Sequence, residues 1–266
     1  MNKLSPAKRA LLFIGGFIAL ETLVVIVLRL AGYGLPREEM LRDVAVPPRL
    51  IPVVIKGVNL GGVNVNQAAS ILIVDVVLLA LGIFVWLKSR EVPARLQALA
   101  EIIVEGFEKL CADTLGLELG RRFLPFVGTL FMFIWLSNLI GLIPFVNEPT
   151  KYLSGPMGLG IICFFVAHIT AIRMKGLGGY LKGYVEPIVL FAPLNVIGEA
   201  GKFISHVFRL FGNIMGGSVI IAVVSVLLNF VFLPVPMGLF FGLFSGTVQA
   251  FVFTMLALVY ITVLAT

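Results

Sequence analysis

Apolar runs of about 20 residues recur along this chain with charges gathered mainly at their ends, and this constrains its fold more than any other feature. A helix of that length crosses a hydrocarbon layer of about 30 Å, and in lipid its backbone polar groups must be satisfied within the segment itself. The expected fold is an all-α polytopic membrane protein. Composition agrees: only 13% of residues are charged, against about 25% in a soluble domain, and mean hydropathy is +1.08. Most soluble enzyme folds are thereby excluded. The basic excess is 20 − 14 = +6, and those residues sit at run ends as topology signals, so no nucleic-acid partner is expected.

Runs at about 10–32 and 68–88 are each long enough to span. Residues 89–122 differ, because Leu96, Leu99, Ile103, Phe107 and Leu110 recur at helical spacing with Glu101, Glu105, Glu108 and Lys109 between them. That pattern predicts an amphipathic connector on the membrane surface. Further spans follow at about 123–146 and 156–173, then two long segments at about 187–232 and 238–264, parted by Leu233-Pro-Val-Pro236. Six membrane elements are expected. With the N-terminus inside, twelve Lys and Arg flank spans on the cytoplasmic side and six (Arg29, Arg37, Arg42, Arg49, Lys56, Lys151) lie outside, which predicts cytoplasmic termini. Residues 1–25 can also be read as a signal peptide, with Lys3, Lys8 and Arg9 before an apolar core.

Cys111 and Cys163 are far apart beside or within apolar segments and read as packing residues rather than a disulfide or metal site. His168 and His206 form no H-E-x-x-H pair, and Gly201-Lys202 lacks the upstream glycine of a phosphate-binding loop. No catalytic site, metal or cofactor is expected.

Two basic residues, Lys202 and Arg209, remain inside the fifth run. An arginine at the bilayer centre costs about 2.5–3.5 kcal/mol on insertion scales, so it must face a partner or water. Steps of three and four from Glu199 reach Lys202, His206, Arg209, Asn213 and Gly216, a polar stripe along one side of one helix. Such a stripe marks an ion or substrate path, or else pairs internally, Glu199 with Lys202, to hold a bundle together. On the last run Gly238, Gly242, Gly246 and Ala250 repeat every four residues, a small-residue face expected to admit a close neighbour, the fifth-run helix above all; Gln249 stands beside it.

Phe208-Arg-Leu-Phe-Gly-Asn213 followed by Ile-Met-Gly-Gly217, with Gln249-Ala-Phe251 on the last run, resembles subunit a of F-type ATP synthases. The likeness extends through Ser137-Asn-Leu-Ile-Gly-Leu-Ile-Pro144, Met174-Lys-Gly-Leu-Gly-Gly-Tyr180 and Ala192-Pro-Leu-Asn195, covering roughly 66–264. It places Asn138 and Pro144 in a structural motif and makes 66–266 the ion-translocating domain, after an N-terminal helix or signal segment and outer loop over 1–65. The resemblance implies a non-catalytic, ion-conducting stator in a bacterial inner membrane. Its partners would be a rotating c-ring, a peripheral-stalk subunit b and the rest of the complex. Two half-channels would meet the ring at Arg209, with the last two helices tilted along it. Glu199, Ser205 and His206 would line the cytoplasmic side, and Asn213, Ser218 and Gln249 the outer side.

Three departures from the family pattern concern the outer path. Ser218 and Gly242 stand where members commonly have a Glu and a His, and Tyr152 where an Asp is usual. Asp75, within the second run, and Glu148, at the outer mouth, are the acids left to serve that path; alternatively Asp75 is a protonated, hydrogen-bonded packing residue and water held by Asn213, Ser218 and Gln249 suffices. A stand-alone transporter binding an anion at Arg209 and Lys202 would show an inverted repeat, and none is visible. A lipid-modifying enzyme would need clustered acid and base groups, which two histidines and few aspartates do not supply.

Overall fold

The computed structural model describes residues 50–55, 58–88, 95–142, 148–186, 188–227 and 234–265. The expected first membrane element at 10–32 and Pro144 lie outside them. Strands β1 (Leu50–Ile55) and β2 (Val58–Asn64) pair antiparallel with Leu50 opposite Asn64, and the register shifts between Pro52 and Val54. Proline has no N–H to give a ladder, so it belongs at such an irregularity. From there on the described chain is helical: α1 (Val65–Lys88), α2 (Arg95–Leu115), α3 (Leu117–Ile140), α4 (Ser154–Val185), a 3₁₀ turn at Val189–Phe191, α5 (Ala192–Leu227), α6 (Pro234–Leu239), π-helical turns at Phe240–Ser245, and α7 (Gly246–Ala265).

Among the described residues five segments are long and apolar enough to cross a membrane: Val65–Leu87, Leu117–Ile140, Ser154–Val185, Val189–Val224 and Pro236–Ala265. They are the five expected spans that fall within the described residues, and the chain is an all-α polytopic membrane protein with one short hairpin ahead of its helices. Its solvent is legible on α1, where Leu72, Val76, Leu79, Trp86 and Leu87 are all 62–75% exposed. In water so large an apolar face would demand a cover; in lipid it needs none.

Contacts divide the described residues into two units, one within 50–215 with 242–265 and one of 216–227 with 234–241. In the larger, α1 starts at Asn64, whose Oδ1 accepts the Gln67 N–H at 3.4 Å as an N-cap. Connector α2 is shorter than expected and folds back on α3: Phe107 stacks on Phe131 at 4.8 Å, and Glu108 pairs with Arg121 at 3.0 Å. The reversal needs Gly116, whose φ is +81°, and Gly120, where a Cβ would lie 2.7 Å from the Cys111 backbone. Cys111 and Cys163 are free and buried, as packing residues should be. The core of this unit joins Leu130 and Ile134 of α3, Cys163 of α4, Leu210 and Ile214 of α5, and Ala250, Phe253 and Ala257 of α7.

Helix α4 is longer than the run at 156–173 suggests because it contains a reversal. Gly176 has φ +72° and ψ 163°. Tyr184 nonetheless reaches His168 at 3.3 Å, although 16 residues of straight helix would separate them by about 24 Å. The glycine-rich stretch Gly176-Leu-Gly-Gly179 supplies the backbone freedom for this turn.

In the smaller unit, a Cβ on Gly217 would sit 3.1 Å from the Phe241 ring, and Phe241 meets Phe240 at 5.5 Å.

Candidate functional site: a polar seam between α5 and α7

Helices α5 and α7 run antiparallel through the polar stripe. Tyr260 of α7 hydrogen-bonds the Glu199 carboxylate, His206 lies 3.8 Å from the Phe253 ring, and Ser245 donates to Asn213 Oδ1 at 2.9 Å. Seven residues forward on α5 match seven back on its partner, then seven match eight where the π-helical turns begin. Glycine lets α4 close the third side: a Cβ on Gly160 would overlap Val207 and come within 3.2 Å of Phe203.

A cavity of about 480 Å³ opens among these three helices, lined by Lys202, Ser205, His206 and Arg209 of α5, Cys163 and Phe164 of α4, and Tyr260 and Val263 of α7. Four members of the expected stripe share one neighbourhood with it: Glu199, Lys202, His206 and Arg209. Glu199 is the most thoroughly partnered, its Oε1 accepting from Lys202 Nζ at 2.8 Å and its Oε2 from the Tyr260 hydroxyl. Lys202 Nζ also stands 5.9 Å from the centre of the Tyr260 ring. Beside it, His168 Nδ1–H donates to the Phe164 carbonyl at 2.8 Å, which leaves Nε2 to accept from Tyr184; Tyr180 in turn donates to Tyr184 at 2.9 Å.

The internal-pairing alternative is thus realised for Glu199 with Lys202, and Asn213 is partnered by Ser245. Arg209 is exposed and makes no hydrogen bond or ion pair among the described residues. Ten residues of rise separate it from Glu199, about 15 Å, or half the hydrocarbon thickness. Its helix face is open: a Cβ on Gly198, Gly201 or Gly212 would meet nothing within 4 Å. Glycines at 198, 201 and 212, with Ser205 and Arg209 between, follow one another at spacings of three and four and so share that face.

Gln249 is buried, and its Nε2 lacks a partner among the described residues, as does His206 Nε2. Asn138 is buried, donates to the Gly246 carbonyl at 2.8 Å and accepts from Thr150 at 3.4 Å. It also explains the glycine face, and corrects the expected neighbour. A Cβ on Gly246 would lie 2.8 Å from Asn138 Cβ, and one on Gly242 2.6 Å from Leu142, so the seam closes on the end of α3 and not on the fifth-run helix. Gly238 belongs to the 216–241 unit. Asp75 is half-buried on α1 and makes no hydrogen bond or ion pair with the stripe. Ser218 belongs to the 216–241 unit.

Residues 68–262 match the ATP synthase A chain family. The chain belongs to that family. It is 42% identical over 168 residues to "ATP synthase subunit a 1" of Chlorobium luteolum, covering 63% of this chain and 74% of that one. With "ATP synthase subunit a" of Albidiferax ferrireducens it shares 40% over 168 residues, 63% of this chain and 71% of the other. The same-named protein of Moorella thermoacetica is 36% identical over 204 residues, 76% of this chain and 92% of its own. The matched region holds the whole polar seam and leaves out the β-hairpin.

Sequence reasoning overlooked Tyr260, Ser245 and the His168–Tyr184–Tyr180 chain. Tyr260 had a signal, since a phenol in an apolar helix needs a partner for its hydroxyl. The others had none, because Tyr184 meets His168 only through the Gly176 reversal.

Proposed function

We propose that this chain is the ion-conducting stator subunit of an ATP synthase membrane sector, passing protons between two half-channels at the face it presents to a rotating c-ring. Consistent with that role, its 66–266 region carries the translocating machinery and both termini are cytoplasmic, in a bacterial inner membrane. It holds no catalytic site; subunit b and the catalytic head complete the machine. The observation that carries the reading is Arg209, a cation inside the apolar span Val189–Val224, unpaired among the described residues on a glycine-lined open face.

Such a face suits a partner helix bearing a carboxylate. A unit-charge pair at about 4 Å is worth roughly 4 kcal/mol at an effective dielectric of 20, enough to favour the ionised carboxylate about a thousandfold. A protonated ring carboxyl arriving from lipid gives up its proton on meeting the guanidinium. Arginine keeps its own proton, so no proton crosses at position 209, and the deprotonated site cannot return to lipid without loading. The membrane potential adds about 2.3 kcal/mol per charge per 100 mV and gives rotation its direction. The 480 Å³ cavity with Glu199, Ser205 and His206 serves the cytoplasmic side. Asn213, Ser218 and Gln249, with Asp75 as an accessory acid, serve the other.

Arg209→Ala should abolish ATP-driven proton pumping in inverted vesicles while ATP hydrolysis by the detached head stays intact. Arg209→Lys should do the same, because a lysine gives up its proton on burial and is no permanent barrier. Near-normal pumping by Arg209→Ala overturns the assignment.

A further inference from the structure

At the end of α3 remote from Glu199, a carboxylate fills a place made for it. Gly141 closes α3 with φ −66° and ψ −14°, an ordinary helical conformation open to any residue. What forbids a side chain there is Glu148, whose carboxylate and Cγ occupy the space of the missing Cβ. Its Oε2 is buried with no hydrogen-bond partner among the described residues, at a place where an unpaired charge is costly. Glu148 does not sit on a waving loop: its carbonyl accepts the Lys151 N–H at 3.1 Å, and Pro149 and Thr150 beside it are about 1% exposed or less. The Pro149 carbonyl is gripped by Gln67 of α1 at 2.9 Å, and Gln67 in turn accepts from Ser154 at 2.6 Å.

Polar groups continue inward from it. Thr150 donates to Asn138, Asn138 to the Gly246 carbonyl, and one turn further along α7 stands Gln249. Ser137, next to Asn138, and Gln249 each bury a polar atom that has no protein partner. Ser245, the residue before Gly246, donates to Asn213, which is one turn from Arg209. A broken line of hydrogen-bonding groups thus runs from Glu148 to the arginine, and Glu148 is its acid.

We infer that the Glu148 carboxylate, seated in the notch left by Gly141, is the group through which protons enter the path to Arg209 from the loop side. This rests on the reading of the chain as a proton-conducting stator. The carboxyl, on a residue that is only partly buried, takes a proton from the aqueous phase and releases it inward, and the carboxylate is regenerated at each passage. Burial pushes the carboxyl up to about 7, against the smaller opposing pull of Lys151, so it exchanges protons near neutrality. Among the described residues Lys151 is the charged group acting on it, and the α3 end facing it contributes the uncharged Gly141.

The whole complex, reconstituted in vesicles, tests this by its ATP-synthesis rate at fixed total driving force while the entry-side pH is varied. Wild type should slow as that pH rises through about 7, as the carboxyl loses its resting proton. Glu148→Gln should be slower by about tenfold or more and lose that inflection. In the double variant Glu148→Ala, Gly141→Asp, a carboxylate on the residue-141 backbone enters the vacated space and should restore both rate and inflection. It also decides the matter if Glu148→Gln does not assemble, since a merely structural Glu148 would not be rescued this way. An assembled Glu148→Gln complex with wild-type rate and pH profile overturns the inference, as does an assembled double variant that stays slow. Arg209→Ala run alongside separates the two levels: if it alone abolishes transport, the stator reading stands and only the role of Glu148 falls.

Discussion

The two ends of the α5–α7 pair solve opposite problems. At the Glu199 end, polar side chains satisfy one another, His206 Nε2 excepted: Glu199 with Lys202 and Tyr260, and His168 with Tyr184 and Tyr180. At the Asn138 end, the helices are held by backbone proximity at Gly242 and Gly246, while Gln249, Ser137 and Glu148 keep buried polar atoms without protein partners. Buried unpaired polar groups are costly, typically about 1–3 kcal/mol each, and persist where something other than fold stability requires them. The paired end can be explained by packing and charge balance alone. The unpaired end cannot, and that is where the entry side of an ion path is best sought.

The contrast can be broken at its tightest contact. Gly246→Leu would force a side chain onto Asn138 Cβ and separate α7 from α3, so membrane accumulation of the subunit should drop about tenfold or more, in line with overpacking costs of about 1–3 kcal/mol. Gly242→Leu should be milder, since Leu142 is a flexible tip, and Leu239→Phe, at a 41% exposed position, mildest. Equal accumulation of all three, read by immunoblot of washed membranes, would show that backbone proximity does not hold this end.

A second variant sharpens the meaning of the unpaired atoms. Gln249→Leu replaces an unsatisfied amide by an apolar group of similar size, so thermal stability of the assembled complex should hold or rise. Proton pumping should nevertheless fall about tenfold, the scale of one lost polar contact of about 1.4 kcal/mol on the path. Loss of stability with pumping per complex unchanged would make Gln249 a packing residue and dissolve the contrast.

The smallest effect is expected at Asp75. With Glu148 as the entry acid, Asp75→Asn keeps size and hydrogen bonding, removes titration, and should slow ATP synthesis about twofold or less, with the inflection near neutrality retained. A loss as large as that of Glu148→Gln would move the entry acid onto α1.

Much of this molecule was legible from residue order because lipid makes fold rules local. A span must satisfy its own backbone, so apolar length alone located five helices, and the steps of three and four from Glu199 put the stripe on one face before any packing was known. The cost of a buried cation singled out Arg209 in the same way. Side-chain partnership is not local. Whether Glu199 is free or paired depends on Tyr260, 61 residues away, and on the antiparallel register that aligns them. The glycine face announced a close neighbour without naming it, because small residues say only that a backbone can approach; the fold chose Asn138 and Leu142. Gly141 and Glu148 read in sequence as a helix end and a loop acid. Only the tertiary structure puts the carboxylate where the glycine has no side chain, and burial there removes the water that would have kept an ordinary surface glutamate charged.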